Sequence, residues 1–573
     1  MNSDVLTTVR KKRHFVAEDF VPASWSVIEP YFANLLSREI NSVEELKQWL
    51  LDSSELEAVL QEDSRLIYVR TTVDTTDERA KADLVNLYTS IYPQLSVHEN
   101  LVKKKFIASK YVDDLNQDEF YTTIRRTKKE LDLYREENVP LLTELNLKKK
   151  GFDEISGAQS IVYNGSELTM QQAGVFLKSA DRNQRQDIFA KLCECRLKDT
   201  NALDDLLTEL ITLRNKVAIN SGYKNYIDYA FDELARFDYT PADCVNFHAT
   251  IEKIVMPLVN ECCELRKKNL GLEVLRPWDM DVDITGKEGL APFKSTDELI
   301  EKTITCFNRL DPYFGECIQI MRSMNFLDLD SRLHKGPGGY NMTLPEIGIP
   351  FIFMNSANSE HDLITIVHEG GHAVHSFLAH NLELTSFKET SSEISEVASM
   401  GMELMTMEHW DIFYSDKSEL LRAKRNHLQY ILSLLTKTCI GDAFQFWLYS
   451  NPNHTVQERR NKWKELHMRF SPKGIDWSGY EEVLETGYQK ILHFYIVPFY
   501  YIEYAFAQLG ALALWKNFKK DSVQTIENYK KALSLGFTKP IPVFYETFGG
   551  KFDFSEIYIS GIIEFLKKES KAL

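Results

Sequence analysis

LITIVHEGGHAVHSFLAH, residues 363–380, contains the spacing H-E-x-x-H at His368, Glu369 and His372. Two histidines four residues apart lie one turn apart on the same face of a helix. Their ring nitrogens could therefore bind one zinc ion at about 2.0–2.1 Å. Glu369 lies beside them and could take a proton from a water at the metal, which is the general-base role in this motif. The stretch predicts a helix that carries a metal-dependent hydrolytic site.

Apolar residues on both sides of the motif favour a helix, with Ser359 or Asp362 as its amino-terminal cap. Gly370 and Gly371 are unusual there, because a glycine inside a helix costs about 1 kcal/mol relative to alanine. The pair predicts that a substrate chain or a strand packs closely against that face. An ordinary buried helix with two hydrogen-bonded histidines is the structural alternative. The glutamate between the histidines favours the metal site over it.

A third ligand is needed, because a catalytic zinc takes three protein ligands and a water. SSEISEVASMGMELMTMEHW, residues 391–410, places Glu393, Glu396, Met400 and Glu403 at helical spacing. The nearest candidates for the third ligand are Glu389, Glu393 and Glu396, and Glu389 is more typical of an acidic face in solvent. Glu393 and Glu396 are one turn apart, so one could bind the metal while the other orients a ligand histidine. Spacing alone leaves both assignments open.

The segment before the motif changes character. HKGPGGYNMTLPEIGIPFIFMN, residues 334–355, clusters glycines and prolines and then alternates apolar residues at period two, which predicts one or two strands. An edge strand here could hold an extended peptide through main-chain hydrogen bonds. Gly338, Gly339 and Tyr340 are then candidate substrate contacts. A purely structural hairpin is the equal alternative.

Tyrosines and a histidine cluster in residues 487–515. Hydrolysis of a peptide leaves negative charge on the former carbonyl oxygen, and one well-placed donor contributes about 2.7–4 kcal/mol to its stabilisation. A tyrosine hydroxyl or an imidazole can serve as that donor. His493, Tyr501 and Tyr504 are the candidates, and simple packing is the alternative for any one of them.

Composition limits the possible functions. The 573 residues carry a net charge of −17, which argues against nucleic-acid or anionic membrane partners. Eight scattered cysteines lack zinc-binding spacings and indicate reduced thiols in a cytoplasmic protein. The first 20 residues lack the apolar region of a signal peptide. Residues 495–515 are long enough to span a membrane, but Pro498, Glu503 and Gln508 favour a buried helix.

The metal motif followed by E-I-S-E-V-A-S-M, residues 393–400, resembles the thimet-oligopeptidase and oligoendopeptidase F superfamily of zinc peptidases. The chain looks most similar to the oligoendopeptidase F-like members. LRNKVAINSGYKNYIDYAF (213–231), LEVLRPWD (272–279) and KKRHFVAEDF (11–20) also resemble segments of these proteins. The likeness covers most of the chain from about residue 180 and, more faintly, the amino terminus.

The resemblance assigns roles that spacing leaves open. It implies Glu396 as the third metal ligand and places Glu393 in the shell around the ligands. Alignment on Y-x-x-Y before A-F-A-Q puts Tyr504 on the transition-state tyrosine and Tyr501 on a neighbouring site tyrosine. His493 falls near the active-site histidine of the superfamily.

The resemblance also implies the architecture and the activity. It implies a mainly α, two-lobed protein with a deep substrate channel and a small β-hairpin or sheet beside the zinc helix. We predict an amino-terminal helical lobe at 1–180 and a catalytic region at 181–573. The implied activity is that of a zinc metalloendopeptidase with one Zn²⁺ per chain, hydrolysing internal bonds of short peptides. A helical metallocarboxypeptidase and a non-catalytic peptide-binding protein are the alternatives.

Overall fold

The computed structural model describes residues 12–572. Residues 1–11 lie outside the described residues. They include about half of the first 20 residues, for which no signal peptide is predicted, and the first residue of the segment 11–20 that resembles the superfamily. Within residues 12–572 the chain forms 25 α-helices and five β-strands. The strands are β1 (Ser160–Tyr163), β2 (Ser166–Thr169), β3 (Leu327–Asp330), β4 (Tyr340–Leu344) and β5 (Ile349–Ser356).

Fourteen helices of the described part precede the metal motif. They are α1 (Trp25–Ser37), α2 (Val43–Val73), α3 (Glu78–Asn86), α4 (Tyr92–Ala108), α5 (Gln117–Leu133), α6 (Val139–Gly157), α7 (Met170–Gly174), α8 (Arg182–Lys198), α9 (Thr200–Asn220), α10 (Tyr226–Glu233), α11 (Pro241–Ile254), α12 (Met256–Asn269), α13 (Thr296–Leu310) and α14 (Pro312–Ser323).

The helices from the motif onward are α15 (Glu360–Ala379), α16 (Thr385–Lys388), α17 (Ser392–Thr406), α18 (Lys417–Ser450), α19 (Val456–Phe470), α20 (Glu481–Glu485), α21 (Leu492–Ile496), α22 (Glu503–Phe518), α23 (Ser522–Leu533), α24 (Ile541–Thr547) and α25 (Glu556–Ala572). The predicted mainly α fold with a small sheet beside the motif helix is confirmed.

Helix α15 begins as the sequence predicts. Ser359 is its cap, and the Asp362 carboxylate accepts hydrogen bonds from the Ser359 amide at 2.7 Å and from the Ser359 hydroxyl at 2.9 Å. A carboxylate in the first turn satisfies free N–H groups and interacts favourably with the helix dipole. The motif therefore starts from a firmly fixed helix end.

The two glycines let other helices approach α15. A Cβ atom on Gly371 would lie 2.7 Å from the carbonyl oxygen of Ala398 and 2.7 Å from Cα of Ser399, both on α17. A Cβ on Gly370 would lie 2.6 Å from the ring of Phe307 on α13. The close neighbours are therefore a helix and an aromatic ring, where the sequence predicted a strand or a substrate chain. Helix α17 carries Glu396, so this approach brings the third predicted ligand to the motif.

A three-stranded sheet lies beside α15, in the order β3-β5-β4. Strand β5 pairs in parallel with β3 and antiparallel with β4, which leaves β4 at an edge. The predicted strands before the motif thus exist, and their edge strand is the one that begins at Tyr340. A separate hairpin, β1–β2, lies far earlier in the chain.

The described residues form two large hydrophobic cores. The first draws on residues between 16 and 124 and is completed by Leu384 and Phe387, which follow α15 in the chain. The second extends from Leu133 to Leu566 and contains the apolar face of α15. This arrangement agrees with two lobes, and the boundary at residue 180 stays a prediction.

The apolar run 495–515 is buried in the second core. It comprises the end of α21, a turn and most of α22. Within residues 12–572 the structure contains no helix whose length and apolar character would let it cross a membrane.

Candidate metal centre and catalytic site

His368, His372 and Glu396 form the centre of the site. Nε2 of His368 lies 3.2 Å from Oε2 of Glu396, and Nε2 of His372 lies 3.8 Å from the same oxygen. All three donor atoms lie within 4.8 Å of one another. Ligand atoms about 2.0–2.1 Å from a tetrahedral ion are themselves about 3.4 Å apart. The donor set and its spacing therefore fit one zinc ion.

Glu403 orients the first histidine. Nδ1 of His368 donates to Oε1 of Glu403 at 2.6 Å, which leaves Nε2 free to bind a metal. The other oxygen of Glu403 lies 3.4 Å from Nε2 of His427. Glu403 thus occupies the position that ligand-orienting carboxylates take in zinc sites.

Glu393 contacts neither ligand histidine through a hydrogen bond or ion pair in the described residues. It accepts a hydrogen bond from the Tyr239 hydroxyl at 2.5 Å and lies 3.9 Å from Nε of Arg236. Its partners are therefore a buried phenol and a buried guanidinium, whereas Glu403 contacts the ligand histidine. The sequence showed both carboxylates on one helix but did not single out Glu403.

Two hydroxyls hold the carboxylate of Glu396. Tyr500 donates to Oε1 at 2.6 Å and Ser399 donates to Oε2 at 3.1 Å. Burial disfavours the charged carboxylate and by itself would raise the pKa of Glu396. The positive charges of His372 and His368 and the hydrogen bonds outweigh the effect of burial, so the pKa of Glu396 is lowered to about 2. Glu396 is therefore an anion at neutral pH, as a metal ligand must be. Sequence analysis noted no role for Tyr500.

Glu369 lines the same cavity as the three candidate ligands and has one unpartnered carboxylate oxygen. Its Oε2 is buried and has no hydrogen-bond partner among the described residues. Burial, together with the negative charges of Glu396 and Glu403, raises the pKa of Glu369 to about 7 against the opposing charge of His368. A carboxylate with a pKa near neutrality is suited to general-base catalysis. Gly339 adjoins it, since a Cβ there would lie 3.7 Å from Oε1 of Glu369.

Tyr504 and His493 form a pair. Their hydroxyl oxygen and Nε2 are 3.1 Å apart, and both residues line the same cavity as the metal ligands. The Tyr501 ring packs 5.0 Å from the His493 ring but lines a second, neighbouring cavity. Phe499, just before the tyrosines, has φ of +65°, a conformation that a bulky residue rarely adopts. The Arg236 guanidinium donates to the Phe499 carbonyl at 2.5 Å and holds this turn.

The catalytic cavity has a volume of about 690 Å³. Its walls include the three candidate ligands and Glu369 on one side and Gln61, Arg65 and Arg126 from the amino-terminal helices on the other. Gly339 and Tyr340, two of the predicted substrate contacts, line it. Gly338, the third, lines the second cavity with Tyr501. The site therefore lies in a cavity between the two cores.

The edge of β4 offers main-chain groups to this cavity. Thr343 is opposite Pro350, which has no N–H to pair with, so the backbone N–H and C=O groups of Thr343 point away from β5. The Thr343 carbonyl accepts a hydrogen bond from Arg65 at 2.8 Å. Because main-chain groups alternate along a strand, those of Asn341 point the same way. The Asn341 side chain also donates to the Glu369 carbonyl at 3.2 Å, which ties the strand to the motif helix.

Two parts of the chain match models of known protein families. Residues 175–562 match the model of peptidase family M3, and residues 15–134 match the model of a peptidase M3 amino-terminal domain. The chain belongs to peptidase family M3. M3 is a metallopeptidase family, so membership implies a metal cofactor. The predicted superfamily and the predicted enzyme class, a metallopeptidase, are confirmed.

Individual M3 relatives share low sequence identity with the chain. An oligoendopeptidase F homolog of Borreliella burgdorferi is 23% identical over 386 residues, which cover 66% of this chain and 63% of that protein. An oligoendopeptidase F homolog of Mycoplasma pneumoniae is 23% identical over 478 residues, which cover 77% of this chain and 76% of that protein. The chain thus spans somewhat less than two thirds of the first relative and about three quarters of the second.

Solved structures show the same fold over nearly the whole length. PZ peptidase A, solved with an inhibitor, superposes with a TM-score of 0.92 at 23% identity, covering 96% of this chain and 98% of that one. An oligoendopeptidase F structure from Bacillus anthracis superposes with a TM-score of 0.88 at 22% identity, covering 98% of this chain and 99% of that one. These structures therefore share the fold over at least 96% of the chain despite the low sequence identity.

Proposed function

We propose that this M3 peptidase is a zinc-dependent oligoendopeptidase that cuts internal bonds of short peptides. The observation that carries the proposal is the convergence of His368, His372 and Glu396 with the unpartnered oxygen of Glu369 in one cavity. The names of the relatives, oligoendopeptidase F and oligopeptidase PepF, support the same activity. Eight free cysteines are typical of a cytoplasmic protein, and we propose that location.

The metal is proposed to be one zinc ion per chain. Two histidines and one glutamate are the donor set of several catalytic zinc sites. When bound, zinc supplies Lewis acidity, which polarises the peptide carbonyl and lowers the pKa of a water molecule. His368, His372 and Glu396 would hold it, with Glu403 and Tyr500 fixing two of those ligands.

Glu369 is proposed as the general base. Its Oε2 is free to accept the proton of the attacking water, and a pKa near 7 lets it release that proton to the departing amine. The Tyr504 hydroxyl is proposed to donate to the carbonyl oxygen as negative charge develops there. His493 Nε2 at 3.1 Å would orient that hydroxyl.

The peptide is proposed to lie extended along β4. Gly339 next to Glu369 leaves room for a main chain, and the outward backbone groups of Asn341 can pair with it. Recognition through the main chain tolerates many side chains, which suits a peptidase of broad specificity. The walls supplied by both cores would admit short flexible peptides and exclude folded proteins.

A mixed peptide pool tests the proposal. The purified protein is incubated with the pool, with and without a zinc chelator, and the products are identified by mass spectrometry. We expect internal cuts that stop with the chelator and return with added zinc. Stepwise loss of carboxy-terminal residues would instead identify a carboxypeptidase. Unchanged peptides from the zinc-loaded protein would identify a binding protein.

A further inference from the structure

A second cavity of about 560 Å³ adjoins the catalytic one. Leu492 lines both cavities, and the consecutive residues Gly338 and Gly339 line one each. A Cβ on Gly338 would lie 3.6 Å from Cδ2 of Leu492, so the two residues form the common wall at this point. A chain extending past Glu369 along Gly339 therefore arrives directly at the second cavity.

The second cavity is lined by three cations and by no carboxylate. Arg196 comes from α8, Lys437 from the middle of α18 and Lys490 from the turn before α21. Among residues 12–572 no hydrogen bond or ion pair engages any of these three side chains. Lys437 and Lys490 are exposed to solvent, so their ammonium groups are accessible. Three unpaired cations in one cavity stand out in a chain of net charge −17.

Lys490 lies close enough to Arg196 and to Lys437 to be repelled by both. Partial desolvation by the cavity walls, together with the charges of Arg196 and Lys437, lowers the pKa of Lys490 to about 8. Asp281 is the carboxylate that acts on Lys490 and Arg196 in the opposite sense, yet it does not line the cavity. Like charges held together in a partly desolvated cavity create a strong positive potential. An anion entering there would relieve the repulsion and gain charge-assisted hydrogen bonds.

We propose that this cationic cavity binds a carboxylate of the peptide substrate. Because it adjoins the catalytic cavity at Gly338 and Leu492, the carboxylate belongs to a residue close to the bond that is cut. The carboxylate comes from the carboxy terminus of a short peptide or from an aspartate or glutamate side chain. The inference rests on the proposed peptidase function and adds a selectivity for charge to it.

Matched fluorogenic peptides distinguish these two sources. One pair differs only in a free or an amidated carboxy terminus, and a second set exchanges glutamate for glutamine at each position around the cut. We expect kcat/KM to favour at least one carboxylate form by about tenfold, which corresponds to about 1.4 kcal/mol, because the carboxylate gains charge-assisted hydrogen bonds. The advantage should appear mainly in KM. The pair that shows it identifies the source.

Variants tie the selectivity to the cavity. Lys490→Gln and Arg196→Gln should each bring the ratio of kcat/KM between the charged and neutral peptides towards one, with zinc content unchanged. Lys437→Gln provides a third test if one of these fails to fold. Lys531→Gln, an exposed lysine on α23, is the matched control and should keep the wild-type ratio.

Two results would overturn the inference. One is a wild-type enzyme that cuts charged and neutral peptides equally well. The other is a carboxylate preference that survives in all three cavity variants. Either result is separable from failure of the proposed function, because chelator-sensitive cleavage of the neutral peptides would still be observed.

Discussion

Glu403 is the residue on which the orientation of His368 depends. Glu403→Gln weakens the 2.6 Å hydrogen bond to Nδ1 and removes its charge. Carboxylates in this position contribute about 10–100-fold to metal affinity or activity. We expect zinc affinity to fall by such a factor in competition titrations with a chelating dye, while the fold is kept.

Glu393→Gln is the control for this change. Both residues are buried on α17, but Glu393 contacts Tyr239 and Arg236 instead of a ligand. Its variant should lower the free energy of unfolding without changing zinc affinity. The opposite pattern, with Glu393→Gln losing zinc and Glu403→Gln keeping it, would contradict the assignment.

The two tyrosine hydroxyls at the site predict different defects. Tyr504→Phe removes the proposed donor to the carbonyl oxygen and should lower kcat about 10²–10³-fold with zinc retained. Tyr500→Phe removes the 2.6 Å hydrogen bond to Glu396 and should weaken zinc binding first. Kinetics at saturating zinc together with metal analysis separate them. Equal kcat in Tyr504→Phe and the wild type would exclude Tyr504 as the donor.

Sequence reasoning was strongest where one helix carries the information. His368, Glu369 and His372 are fixed relative to one another by helical spacing, so their convergence was predictable. The choice between Glu393 and Glu396 as the third ligand depends on how α17 is rotated against α15, which spacing within α17 does not determine. Resemblance to the superfamily supplied Glu396, and only the packing of the two helices identified the contact of Glu403.

At the scale of secondary-structure elements, the site depends on the close approach of helices α15 and α17. Gly371→Ala would place a Cβ 2.7 Å from the backbone of Ala398 and Ser399. Overpacking of this kind costs about 1–3 kcal/mol, and the separation of the helices would draw Glu396 away from the histidines. We expect a lower free energy of unfolding together with weaker zinc binding, measured by denaturant unfolding and zinc titration.

Gly561→Ala is the matched control. Gly561 lies inside α25, where a Cβ would meet no atom within 4 Å. Alanine there should stabilise the protein by about 0.5–1 kcal/mol because it favours the helix. A Gly371→Ala protein that behaves like Gly561→Ala would show that the helix contact is not tight.

The sequence pattern predicted only part of the three-stranded sheet beside α15. The pattern of residues 334–355 predicted one or two strands, and β4 and β5 are present there. The sequence did not predict β3, because Leu327–Asp330 is short and joins the sheet only through a parallel pairing with β5. Parallel pairing joins segments distant in sequence, so no local turn signal announces it.

At the scale of the whole molecule, the proposed metal centre connects α15 and α17 at the wall of a cavity between two cores. A ligand that binds only the folded state stabilises it by about 4 kcal/mol at 1,000 times its dissociation constant. Zinc should therefore raise the thermal midpoint of the wild type, and His372→Ala should lose that rise. His98→Ala, on α4 in the first core, is the control and should keep it. An unchanged zinc effect in His372→Ala would place the metal elsewhere.

How the two cores meet could not be predicted from the sequence. Arg65 on α2 donates to the Thr343 carbonyl, and Thr72 on the same helix lies 2.6 Å from the Tyr340 hydroxyl. These contacts join residues about 270 positions apart and follow no periodic pattern. Helical content was predictable from local spacing, whereas the cavity that the two cores enclose depends on such distant contacts.

The most direct test of the account is the metal content and turnover of Glu369→Gln. This change keeps the shape of the side chain and leaves His368, His372 and Glu396 in place. We predict one zinc per chain and a kcat at least about 10²-fold, and up to about 10⁴-fold, below that of the wild type on the same peptide. A variant that retains its zinc and cleaves the peptide at nearly the wild-type rate would contradict the account.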